Sequence, residues 1–131
     1  MVVRPTRHVP DGEPRLRALV EHWFSWADES LAGGCLFVTA AVELDDRPGP
    51  LRDALVTSER EWRALLRSVV QSAVDRGEFA SDIDPDQLSY ELHALMLAYH
   101  HSSRLLTSRD EAATRTRSGL ERLIRAARPV A

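Results

Sequence analysis

The feature that most constrains this fold is a sharply capped helix, beginning near residue 85, whose apolar residues lie on more than one side. Asp84 suits the N-cap, Pro85 suits the first helical position, and Gln87 stands where a capping box needs it. Two apolar stripes follow at helical spacing, the first Leu88, Leu92, Leu95, Tyr99, Leu106 and the second Tyr90, Ala94, Leu97, His101, Leu105. A chain of 131 residues buries both most economically by packing one stripe on its own core and the other on a second copy. This helix therefore predicts a homodimer.

Length and composition predict a single soluble domain. The chain has 131 residues, of which 44% are hydrophobic and 28% charged, as is ordinary for globular proteins. No apolar run approaches the roughly 18 residues of a membrane span, and the N-terminus lacks the apolar core of a secretory signal. A single cysteine, Cys35, excludes an internal disulfide and a cysteine-based zinc site. We expect a cytoplasmic protein that does not contact membranes.

The charge pattern argues against direct nucleic-acid binding by this domain. The net charge is −3, and all 17 basic residues are arginines. Residues 109–131 carry six arginines against three acids, but the acids interrupt the arginines. A net acidic domain binds nucleic acid poorly unless it concentrates a basic face. We interpret the C-terminal arginines as a solvated helix surface.

The remaining pattern predicts an all-α domain. Residues 1–12 read as an extended lead-in or linker, and residues 13–131 as one helical domain. The apolar run from Cys35 to Leu44 would permit a strand, but a lone strand would leave its backbone groups unpaired, so a helix is predicted there. With that helix, the periodicity predicts a five-helix bundle whose other members are Glu13–Leu31, Leu51–Arg76, 85–106 and Asp110–Arg128.

Bulky aromatic side chains on four of these helices either fill a core or line a cavity. Three tryptophans in a small helical domain are hard to pack without voids, which favours a pocket between helices. Thr39, Glu43, His100 and Cys35 lie near enough in the pattern to supply polar anchors. The predicted ligand-pocket residues are Trp23, Trp26, Phe37, Glu43, Trp62, Leu66, Met96, Tyr99 and His100.

Catalytic and metal chemistry is weakly indicated. His93 and His100 are seven residues apart on one helix, whereas helical metal pairs usually stand three or four apart with a carboxylate. No nucleophile, phosphate loop or triad stands at an interpretable spacing. Cys35 follows Gly33 and Gly34 at a helix start, where a thiolate is favoured, but burial is the commoner fate. We predict no enzyme, cofactor or metal; the rival is a metal-binding or enzymatic bundle using His93, His100 and Glu43.

Several short segments together resemble the C-terminal regulatory domain of TetR-family transcriptional repressors over roughly residues 13 to 128. The two most specific are Gly33-Gly34-Cys35 and Asp84-Pro85-Asp86-Gln87-Leu88. The others are Trp26, Leu36-Phe37, Glu43 to Asp46 with Arg47-Pro48-Gly49-Pro50, Trp62, Gly77-Glu78-Phe79 and Glu91-Leu92-His93-Ala94-Leu95.

The resemblance implies a small hydrophobic effector in the helical core and a four-helix dimer interface built from Leu88–Leu106 and Asp110–Ala127 of each subunit. The interface residues expected on this basis are Tyr90, Ala94, Leu97, His101, Leu105, Leu120, Leu123 and Ile124. It also implies a helix-turn-helix domain ahead of this one, which residues 1–12 cannot form, so operator DNA would be reached only through that missing domain. The expected function is effector sensing and dimerisation for a repressor. The alternative is a purely structural homodimerisation module without a ligand.

Overall fold

The computed structural model describes the backbone of residues 6–29 and 36–130, and the side chains of residues 6–27 and 39–130. Over those ranges the chain forms five α-helices and no strand, namely α1 (Glu13–Glu29), α2 (Leu36–Leu44), α3 (Pro50–Asp75), α4 (Pro85–His101) and α5 (Arg109–Ala127). The all-α, five-helix prediction is confirmed, and the apolar run that ends at Leu44 is a helix. Within the same ranges, no helix has both the length and the apolar character needed to cross a lipid bilayer.

The start of α4 follows its sequence closely. Asp84 Oδ1 accepts hydrogen bonds from the backbone N–H of Asp86 over 2.9 Å and of Gln87 over 3.4 Å, with Pro85 in the first turn. The Gln87 side chain donates to Glu91 Oε1 over 3.2 Å rather than returning to the Asp84 backbone. The cap is therefore an aspartate N-cap without the reciprocal bond of a capping box. It fixes where α4 begins.

Past His101, α4 changes its winding. Residues 102–106 form a π-helix, which closes with the Thr107 N–H donating to the Ser102 carbonyl over 2.9 Å. The helix predicted over residues 85–106 thus consists of an α-helical and a π-helical part. The apolar side chains of Leu105 and Leu106 in this segment are exposed to solvent.

The core lies where α1, α3, α4 and α5 meet, while α2 packs mainly on α3. Tyr99 of α4 is at its centre, with its ring edge-on to Phe24 at 4.6 Å and to Trp23 at 5.9 Å between centroids. Such edge-to-face pairs add to the stability that burial gives. Further members of the buried core include Leu16, Leu19, Val70, Ala73, Phe79, Leu88, Leu92 and Ala112.

The N-terminus of α1 is fixed by residues distant in sequence. Glu78 Oε2 accepts a hydrogen bond from the Glu13 N–H over 2.7 Å, so a carboxylate from beyond α3 satisfies the first turn of α1. Gly12 is needed at this junction because its φ is +90° and a β-carbon there would overlap the Glu78 carboxylate. The Glu13 carboxylate in turn accepts two hydrogen bonds from Arg128, at 2.8 and 2.9 Å. The beginning of α1 is thus joined to the end of α5.

Arginine hydrogen bonds lower the pKa of several glutamates on α1 and α5 below the ordinary value of 4.5. The pairs are Glu13 with Arg128, Glu21 with Arg117, and Glu121 with Arg17. The pKa of Glu78 is also lowered, mainly by the hydrogen bond that it accepts from the backbone of Glu13. Each lowered pKa contributes stability that is present above the unfolded-state value and is lost as the pH falls through the folded-state value.

We therefore expect the free energy of unfolding to fall as the pH is lowered from about 5 to about 3. Urea unfolding followed by circular dichroism across that range measures the slope. Glu21→Gln should flatten the slope, because the charge that Arg117 stabilises is gone, whereas Glu61→Gln at an exposed position of α3 serves as the matched control. A wild-type stability that does not change over this pH range would contradict the expectation.

Candidate functional site

A cleft of about 280 Å³ opens where the end of α2 and the following turn face α3 and α4. One face of α3 forms most of its wall, and the spacing of three or four between these α3 residues is the reason that they share a face. The lining residues are Ala41, Leu44 and Asp45 from the α2 side, Arg52, Leu55, Val56, Glu59, Arg60 and Arg63 from α3, and His93 from α4.

The cleft combines an apolar wall with titratable side chains. His93 Nε2 lies 3.5 Å from Glu59 Oε2, and the two side chains are 16% and 26% exposed. Burial raises the pKa of Glu59, with the Arg63 charge opposing the shift, and burial and then Arg63 lower the pKa of His93. Both shifts disfavour the charged forms. Because burial disfavours the charge on each partner, we interpret this contact as something other than an ion pair between fully charged groups.

Arg63 connects the cleft to the outer surface of α4. Its guanidinium carbon lies 5.3 Å from the centre of the Tyr90 ring, within the range of a cation–π contact. Its Nε is buried and has no hydrogen-bond acceptor among the described residues. An unsatisfied buried donor costs about 1–3 kcal/mol. Arg63 therefore holds an unused donor beside the cleft.

The sequence-predicted pocket residues lie mainly in the core, away from this cleft. Trp23, Leu66, Met96 and Tyr99 are buried, with Leu66 fully inaccessible, and Trp23 and Tyr99 are in contact. Trp26 and Trp62 are partly buried against the same core. Bulky aromatic residues thus fill this part of the bundle, and none of these six lines the cleft.

The other predicted pocket residues lie in different settings. Glu43 is exposed on α2, while the side chain of Phe37 and the whole of Cys35 lie outside the described residues. His100 is half-buried, and its Nε2 has no hydrogen-bond partner among the described residues. Burial, followed by the charges of Arg104 and His101, lowers the pKa of His100, so its neutral form is favoured. That the residues predicted from the sequence together form a ligand pocket stays a prediction.

The residues predicted for a dimer interface divide into two groups. Five of them form an exposed, largely apolar face on α4 and its π-helical extension, namely Tyr90, Ala94, Leu97, His101 and Leu105. Leu120 and Ile124 of α5 are buried in the chain's own core, and Leu123 packs partly against it. Burial and exposure within a single chain do not test dimerisation, so the homodimer stays a prediction.

The residues of the rival metal hypothesis do not come together. His93 contacts Glu59, whereas Glu43 is exposed on another helix. Across the part of the chain that the structure describes, no group of three or more His, Cys, Asp or Glu side chains could hold a metal ion.

The cleft was not predicted from the sequence, although the spacing of its lining residues on α3 is visible there. Arg52, Glu59, Arg60 and Arg63 recur at helical spacing and share a face with Leu55 and Val56. A helix face that mixes charged and apolar residues is typical of the border between the buried and the solvent-exposed sides of an amphipathic helix. Only the position of α2 against this face shows that it is covered.

Two solved structures have the same fold. A TetR-family transcriptional regulator from Cytophaga hutchinsonii matches 99% of this chain with a TM-score of 0.81 and 18% sequence identity. A TetR transcriptional regulator from Chloroflexus aurantiacus J-10-FL matches 85% of the chain with a TM-score of 0.69 and 29% identity. The aligned regions span 65% and 55% of those two proteins. No curated protein sequence matches the chain.

The family comparison agrees with the shared fold. Residues 12–126 match the family model described as the tetracyclin repressor-like C-terminal domain, which covers most of the chain, from the start of α1 to all but the last residue of α5. The chain therefore belongs to the family of tetracyclin repressor-like C-terminal domains.

Proposed function

We propose that this domain dimerises and senses a small hydrophobic ligand for a TetR-like transcriptional repressor, relaying occupancy to a DNA-binding domain outside these residues. The observation that carries the proposal is the position of α4 between two surfaces. On one side α4 contributes His93 to the cleft, and on another it presents the exposed apolar side chains of Tyr90 and Leu97, which Leu105 of the π-helix continues. A ligand that contacts α4 can thereby alter the arrangement of the face that meets a second copy.

The energetic requirement of this coupling is modest. A ligand shifts an equilibrium between two arrangements only by its difference in affinity for them. Couplings of about 1–3 kcal/mol are usual in allosteric proteins. The contact of Arg63 with Tyr90 links the cleft to the exposed face directly, so a ligand that moves Arg63 also acts on that face.

Native mass spectrometry of the purified chain tests dimerisation and ligand retention together. We expect a dimer that carries a small organic adduct, and we expect Ala41→Phe to remove the adduct by filling the cleft without affecting the dimer. Val42→Phe is the matched control because Val42 is the adjacent residue but does not line the cleft. A monomeric wild-type chain would contradict the proposed dimer, and an adduct that survives Ala41→Phe would place the ligand elsewhere.

A purely structural dimerisation module is the second candidate, and the filled aromatic core around Tyr99 favours it. Such a module gives a dimer without an adduct in the same spectra. That result would support dimerisation and contradict ligand sensing.

A further inference from the structure

The charged side chains that line the cleft have a positive excess. Three guanidinium groups face two carboxylates, the cations being Arg52, Arg60 and Arg63 and the anions Asp45 and Glu59. Arg52 donates its Nε to the Asp45 backbone carbonyl over 3.1 Å and so serves the turn after α2. Among the described residues, Arg60 has no salt-bridge partner. Arg60 and Arg63 are thus available to an anion.

Arg63 is the better placed of these two for specific recognition. Its Nε lacks an acceptor, and Nε together with one Nη presents two parallel donors that match a carboxylate. Its charge lies against the Tyr90 ring and acts on the Glu59 carboxylate, but neither of these neighbours accepts a hydrogen bond from Nε. A rotation of the side chain from Tyr90 toward the cleft would give this donor the acceptor that it lacks.

The apolar lining of the cleft suits an apolar body. Leu44, Leu55 and Val56 line it without introducing a polar atom from their side chains, and Ala41 leaves room beside them. At about 30 Å³ for each group the size of a water molecule, 280 Å³ holds roughly nine such groups. This is the size of a medium-length organic acid.

We propose that the cleft binds an amphipathic carboxylate, with its anionic head on Arg63 and its apolar body on Leu44, Leu55 and Val56. The inference rests on the proposed sensing function and adds the chemical class of the ligand. Binding moves the Arg63 guanidinium from the Tyr90 ring to the ligand. Tyr90, on the exposed face of α4, thereby loses its cation–π partner when the cleft is occupied. Arg60 at the rim adds a second positive charge that draws the head group to the same end.

Isothermal titration calorimetry on the full chain with three probes of equal chain length tests the class of ligand. Octanoate carries the proposed head group, octanamide is its neutral counterpart, and octylamine reverses the charge. We expect octanoate to bind at least tenfold more tightly than octanamide, and octylamine to bind most weakly. Octanamide binding as tightly as octanoate would overturn the proposal, and so would the absence of binding by all three probes.

A variant of Arg63 separates recognition of the charge from packing. Arg63→Gln should weaken octanoate binding by about ten- to hundredfold, the range for a lost hydrogen bond to a charged group, and leave octanamide within about threefold. Arg122→Gln on the exposed surface of α5 is the matched control and should change neither affinity. Equal weakening of both probes by Arg63→Gln would show a structural role and overturn the assignment of the head group.

Two further measurements keep this test decisive. If Arg63→Gln does not fold by circular dichroism, Arg60→Gln replaces it, with a smaller preferential loss of octanoate expected. The proposed sensing function is judged independently, by the native spectra of the wild-type chain and of Ala41→Phe. A retained neutral adduct there, together with no preference for octanoate, would leave sensing supported and the carboxylate class refuted.

Discussion

Tyr99→Ala is expected to lower the free energy of unfolding by about 3–5 kcal/mol, the usual cost of truncating a large buried aromatic residue. The side chain is 2% exposed and contacts the rings of both Trp23 and Phe24, so its removal leaves a cavity between α1 and α4. A loss of that size is a large part of the 5–15 kcal/mol that typically stabilises a domain. Urea denaturation followed by circular dichroism and by tryptophan fluorescence measures it.

Tyr99→Phe is the control for this core prediction. It keeps the ring and its two edge-to-face contacts and removes only the hydroxyl, at an expected cost of about 1 kcal/mol. A loss below about 1 kcal/mol for Tyr99→Ala would show that the aromatic cluster is not the centre of the stable core.

The double variant Leu97→Asp with Leu105→Asp is expected to convert the proposed dimer into a folded monomer. The two side chains are 39% and 71% exposed in the single chain, so carboxylates there are tolerated by the monomer but must be desolvated at an interface. With two such changes in each of two copies, we expect the dimer dissociation constant to rise by at least a thousandfold, about 4 kcal/mol. Analytical ultracentrifugation over a range of concentrations measures the change.

Val42→Asp provides the matched control for the interface. Val42 is 72% exposed and apolar but belongs to α2, remote in sequence from the α4 face. We expect it to leave the dissociation constant unchanged, and circular dichroism should show equal helix content in all three proteins. A double variant that dimerises as tightly as the wild-type chain would exclude the α4 face as the interface.

Local signals in the sequence predicted the boundaries of the elements well. Asp84 and Pro85 define the start of α4, and Gly77, with φ of +76°, ends the turn after α3. These effects depend on a few neighbouring atoms, so one sequence is sufficient to identify them. The change to π-helical winding at Ser102 was not foreseen, because apolar periodicity alone does not distinguish the two kinds of helix.

Long-range packing limited the prediction of the site. Leu120 and Ile124 have the spacing of an interface stripe, yet they are buried by the chain's own helices. Periodicity shows which residues share a face but not which surface covers that face. The cleft could not be predicted for the same reason. Arg63 and His93 are thirty positions apart in the sequence and meet only through the packing of α3 on α4.

The carboxylate of Glu78 that closes the first turn of α1 has a consequence for joining this domain to another. Gly12 lies against that carboxylate, and the Glu13 side chain is held by Arg128, so the direction of the chain is already set at this junction. A chimera joined immediately ahead of Gly12 would therefore inherit the orientation of α1. One joined through an added flexible spacer would lose it, although every contact among residues 12–130 would be unchanged.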